Sequence, residues 1–185
     1  MRFILVILKF IIGILFITIL HLGVAYFLPQ PVSFINILFV VIILLLLNFE
    51  SGIVVWVAFF AHFIVDLYTT STPFGIILFS STVSILGAFW LYQRILTNRS
   101  WYSGVALAVA ALAIYRILYT GAIIFVRQFA DTIAITWPEL LISFFWELLF
   151  TGAAVGLIFF ILSKFLPQFG GLKIRQDKSS IFRTM

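Results

Sequence analysis

An all-α integral membrane protein is the fold class the sequence predicts, and three observations carry it. Of the 185 residues, 64% are hydrophobic and only 9% are charged, against about 25% charge and about 45–50% apolar residues in a soluble domain. The apolar residues fall into six runs separated by short polar or proline-containing links. At about 20 residues per crossing, six crossings take about 120 residues and leave about 65 for links and tails, too few for a separate soluble domain. The expectation is six transmembrane helices in one compact bundle over residues 1–166, with a basic tail over 167–185.

The first run covers 3–28 and stops at Pro29-Gln30-Pro31, where a helix is poorly continued. It is longer than the roughly 7–15 residues of a secretory signal core, and Lys9 interrupts it, so it reads as a span rather than a cleaved leader. The second, 32–47, ends at the polar residues 48–52, and the third occupies 53–68. The fourth covers 74–96, with Thr72 as a plausible cap and Pro73 as a good first helical residue. The fifth spans 101–126 and is small-sided in its first half, through Gly104, Ala106, Ala108, Ala110, Ala111 and Ala113. The sixth spans 137–166, where Thr136 to Glu139 fits a capping box and Gly152 with Gly156 forms a GxxxG whose simplest use is close internal packing.

Lys and Arg outnumber Asp and Glu by 11 to 6. Six spans place both termini on one side, and the links fall into two sets. One set, with both termini, holds Arg2, Lys9, Arg94, Arg99, Lys164, Lys173, Arg175, Lys178 and Arg183; the other holds only Arg127. The positive-inside rule then makes the termini cytoplasmic. This distribution explains the basic balance without a nucleic-acid partner, and it lets the tail touch anionic lipids. Trp90, Tyr92, Trp101 and Tyr102 bracket the 94–100 link, as interfacial aromatics should.

Chemistry has few candidates. With no cysteine and two histidines, thiolate zinc sites, iron–sulfur clusters and cysteine nucleophiles are out of reach, and no metal or cofactor motif is present. The informative groups are the ionisable residues within the runs: His21, His62, Asp66, Arg116 and Glu147. A charge at mid-membrane costs about 2.5–3.5 kcal/mol on insertion scales, so it faces protein or water. Arg116 and Glu147 each lie ten residues, about 15 Å of helix rise, from the link joining their spans, which predicts an ion pair. Glu139, Ser143, Glu147 and Thr151 recur every four residues on one helix face, and Ser80, Ser84 and Ala88 form a smaller stripe. His62 and Asp66, also four apart, suggest a histidine held by a carboxylate. These groups outline one buried polar cluster. A packing lock is its simplest reading, ahead of a ligand cavity, a proton or ion path and, last, catalysis, since no nucleophile, base and acid share a recognisable spacing.

The segment from Gly52 to Asp66, followed by Leu67-Tyr-Thr-Thr-Ser-Thr-Pro73-Phe74-Gly75, resembles the signature of the bacterial rod-shape-determining MreD family: a helix ending in Asp, a short turn, and a Pro-Phe-Gly step into the next helix. Asp66, Pro73, Phe74 and Gly75 match it; the turn is slightly long and lacks glycine, and His62 stands where small or apolar residues are usual. Gln93 to Leu96, the basic turn at Arg99 and Trp101 opening the next span are similar too. The resemblance implies a non-enzymatic inner-membrane adaptor of the elongation machinery. Its implied partners are an MreC-like protein, the actin-like shape protein and the peptidoglycan synthases. It also implies an architecture similar to the substrate-binding S components of energy-coupling-factor transporters, which keeps a vitamin or small-molecule carrier subunit as the alternative.

Overall fold

The computed structural model of the chain describes residues 2–49, 51–70, 72–96, 100–129 and 137–165. The basic tail, Arg99, Thr136 with its capping box, and the side chains of Arg2 and Lys9 lie outside what is described. Among the described residues there are six α-helices, one short 3₁₀ turn at Val32–Phe34 and no strand. The helices are α1 Arg2–Phe27, α2 Ile37–Phe49, α3 Ile53–Tyr68, α4 Ile76–Arg94, α5 Trp101–Arg127 and α6 Trp137–Phe165.

Within these helices, four segments are long and apolar enough to cross a membrane: Phe10–Phe27, Ile76–Arg94, Trp101–Arg127 and Trp137–Leu162. The other two, α2 with 13 residues and α3 with 16, rise about 20 and 24 Å, short of the ~30 Å hydrocarbon core. The second apolar run is thus divided: a 3₁₀ turn takes its first residues, and the α-helix starts only after Asn36.

Sequence explains where α2 sits. It is apolar all round, so no face prefers lipid or solvent, and it packs against α1, α3, α5 and α6. Phe39, Ile43, Leu46 and Leu47 on it are fully buried. α4 runs between α3 and α5, and α6 lies along α5. α1 rests mainly on α3 and α2 and leaves most of its surface uncovered.

Small residues set the closest approaches. A Cβ on Gly104 would come within 3.0 Å of the Leu47 side chain, and one on Gly156 within 3.1 Å of Val105. Gly152 is roomier, its nearest neighbours being Val105 and Val109 at 3.8 Å. The GxxxG of α6 therefore packs on α5 of the same chain. Ser80, Ser84 and Ala88 are all fully buried on α4, and the Ser84 hydroxyl donates to the Ala111 carbonyl of α5.

Two local expectations are corrected. α4 starts three residues later than Thr72 and Pro73 suggest: Gly75, at φ +97°, precedes the first helical residue Ile76. Gly75 uses the left-handed conformation available to glycine, and the N-cap position falls to it instead of to Thr72. Tyr92, read as an interfacial aromatic, is buried, whereas Trp90, Trp101 and Tyr102 are exposed; Tyr92 shares the stripe of Ser84 and Ala88 and points into the bundle.

These contacts separate two neighbouring glycines. Gly156→Leu should lower stability by about 1–3 kcal/mol through overpacking against Val105. Gly152→Ala should be neutral or stabilise by up to about 1 kcal/mol, since helix propensity rises and the space exists. Apparent melting temperatures of the purified variants in one detergent check both.

Candidate functional site: a carboxylate shared by three helices

Glu147 stands one turn before Thr151 on the polar face of α6, and both are buried. Arg116 of α5 donates from Nε to Glu147 Oε2 at 2.6 Å, with Nη2 of the same guanidinium 2.5 Å from that oxygen. The structure therefore brings together the two charges that the rise along their helices placed level. Arg116 keeps one-fifth of its side-chain surface exposed, so the pair reaches toward the edge of the bundle.

The other oxygen, Oε1, accepts from Asn36 Nδ2 at 2.9 Å. Asn36 caps α2: its Oδ1 accepts from the Phe39 N–H at 3.3 Å, and its own N–H donates to Thr151 Oγ1 at 3.0 Å. One amide thus closes the first turn of a buried helix and completes the coordination of a buried charge. The N-terminal end of α2 thus lies beside the carboxylate. Sequence reasoning missed Asn36 because it fell inside an apolar run assigned whole to a span. Its signal was an Asn immediately before an uninterrupted apolar stretch, the pattern of an N-cap.

Asp66 forms a second station at the end of α3. Its Oδ2 accepts the Gly75 N–H at 2.6 Å, tying the end of α3 to the start of α4 across the intervening turn. Oδ1 is buried and meets no hydrogen-bond donor among the described residues. Pro73 and Phe74 lie on the exposed side of this turn, with Phe74 set edge-on to Phe63 at 6.1 Å between centroids.

The expected histidine–carboxylate pair does not form. His62 Nδ1 donates to the Ala58 carbonyl at 2.8 Å, back along its own helix, while Asp66 reaches forward to Gly75. Each side chain takes a backbone partner instead of the other. His21 Nδ1 is buried without a partner among the described residues.

The Glu147 and Asp66 carboxylates take different hydrogen-bond partners, and Tyr115 and Tyr119 lie within electrostatic reach of both. Phe39 of α2 meets His62 edge-on at 5.6 Å and Tyr115 at 5.4 Å, and Tyr115 stacks on Tyr119 at 5.7 Å. Among the described residues no three His, Asp or Glu side chains gather as a metal site would require. Beside the start of α6 lies an open cleft of about 700 Å³, with Gln30, Glu139 and Ser143 among its lining residues.

No family model, no curated protein and no solved structure matches the chain.

The three-helix carboxylate yields an ordered mutant series. Arg116→Leu should cost about 3–5 kcal/mol by stranding a buried carboxylate. Adding Glu147→Gln should restore more than adding Glu147→Leu, because glutamine still offers Asn36 an acceptor. Asn36→Ala should cost about 2 kcal/mol, combining a lost cap with an incompletely bonded carboxylate, and Asn36→Ser less, since serine keeps the cap. Thermal unfolding of the purified proteins ranks them; equal losses for the two double variants would contradict the Asn36 link.

Proposed function

We propose that the chain is a non-enzymatic membrane adaptor of the bacterial cell-wall elongation machinery, similar to the MreD family. In this reading it crosses the inner membrane six times with both termini cytoplasmic, and the short helices α2 and α3 cross with their polar ends. It holds an MreC-like partner beside the actin-like shape protein and the peptidoglycan synthases.

The observation that supports this reading is the build of the segment carrying the family resemblance. Asp66 and Gly75, the two ends of the motif, are joined by a 2.6 Å hydrogen bond. The lock turns the polar group inward and leaves Leu67, Tyr68 and Phe74 about 60% exposed. A rigid turn displaying apolar and aromatic side chains is suited to holding another membrane protein: little conformational entropy is lost when it is covered. The buried charge likewise fits a scaffold, since both carboxylate oxygens of Glu147 are engaged by the protein itself.

The runner-up, a vitamin carrier subunit, draws on the cleft near the start of α6, whose volume falls in the range of small-molecule sites. It requires a ligand retained through purification, and none found by native mass spectrometry would remove it.

Clean deletion in a rod-shaped host should give round or widened cells, rescued by the wild-type gene. Asp66→Ala should reduce both rescue and co-purification of an MreC-like protein, while Asp66→Asn, which keeps an acceptor for Gly75, should retain most of each. Normal rod shape after clean deletion would overturn the proposal.

A further inference from the structure

A small crevice opens between α5 and α6 beside the ion pair. It holds about 80 Å³ and is lined by Arg116, Thr120, Trp137, Leu140, Leu141 and Phe144. That is room for about two or three waters, at about 30 Å³ each, or for one phosphate-sized group. The four residues from α6 recur at intervals of three and four, so they form one helix face. Trp137 is the first residue of α6, and it and Leu141 are 52% and 65% exposed, so the crevice is reached from the end of the bundle where α6 begins.

Its polar groups are donors. A guanidinium presents N–H groups along two edges, and Glu147 Oε2 faces only the edge formed by Nε and Nη2. The second edge, Nη1 with the outer N–H of Nη2, donates to no described residue, and one-fifth of the Arg116 side chain is exposed. One turn closer to the start of α6, Thr120 brings a hydroxyl, and the Trp137 indole N–H can only donate. No Asp or Glu stands among the described lining residues, and Glu139 lies on another face of α6, along the neighbouring cleft. The start of α6 adds the positive end of its dipole, the sign that suits an anion. The paired N–H groups on the unused edge match two oxygens of one phosphoryl group.

We infer that the crevice seats one phosphoryl group, from a surrounding phospholipid or from free phosphate, on the unused edge of Arg116. Glu147 already offsets the Arg116 charge, so the contact is a set of hydrogen bonds and its selectivity is modest. The inference is independent of the adaptor reading.

Native mass spectrometry of the full chain, released from micelles supplied with equal phosphatidylglycerol and diacylglycerol of the same acyl chains, tests the lipid source. The phospholipid should be retained about five-fold over the diacylglycerol, the scale of one net hydrogen bond. Arg116→Lys keeps a cation for Glu147 but has no second edge, and it should bring the two lipids to parity. Thr120→Val, a same-shape change, should lower the preference about two-fold and decides the matter if the lysine variant does not fold. Inorganic phosphate titrated into the detergent-purified protein tests the other source: a rise in melting temperature that is lost in Arg116→Lys and reduced in Thr120→Val assigns the site to the free ion. Equal retention of the two lipids together with no response to phosphate would overturn the inference. So would a preference or response unchanged in Arg116→Lys or, should that variant not fold, unchanged in Thr120→Val.

Discussion

The interaction on which the fold most depends is at the carboxylate of Glu147 on α6, because partners from α5 and the head of α2 both engage it. Arg116 of α5 takes one oxygen and Asn36 at the head of α2 the other. In a medium that excludes water, removing any one partner leaves a group with nowhere to turn, so the cost of loss exceeds what the pair contributes when whole. Such a site specifies register: α2, α5 and α6 satisfy these groups together at only one relative height. Apolar packing alone leaves sliding open, since Leu and Ile interdigitate at more than one register.

The same economy appears at Asp66. Here a carboxylate stops one helix and starts the next, and the left-handed Gly75 presents its N–H to the carboxylate. Phe39 of α2 meets His62 of α3 and Tyr115 of α5, and Tyr115 stacks on Tyr119, so rings of three helices pack beside these polar groups. Close approach elsewhere comes from glycine and serine. Gly104 and Gly156 admit their neighbours' side chains, and Ser84 reaches a backbone carbonyl on α5.

Much of this was legible from residues alone, for identifiable reasons. α5 and α6 leave a common link in opposite directions, so equal counts from that link place Arg116 beside Glu147. The four-residue spacing on α6 identified the inward face, and the paired glycines indicated close packing. Where reading failed, two partners were locally equivalent. His62 and Asp66 are neighbours on a helix, yet each had a backbone group within reach, and helix spacing carries no information about that competition. Thr72 and Pro73 offered a sound helix start that the turn geometry passed over for Gly75. Asn36 was hidden by hydropathy, which averages away the single amide that cuts the second apolar run in two.

The distribution of the central site along the chain has a consequence for biogenesis. Asn36, Arg116 and Glu147 leave the ribosome in that order, and α5 is complete before any of α6 has been made. Until Glu147 arrives, the nascent chain carries a guanidinium without its anion and a capping amide without its acceptor. Until then the first five helices lack the contact that fixes their register against α6. The arrival of α6 converts that intermediate into the final arrangement. The arrival of α6, rather than insertion of each earlier hydrophobic segment, is the event that commits the bundle.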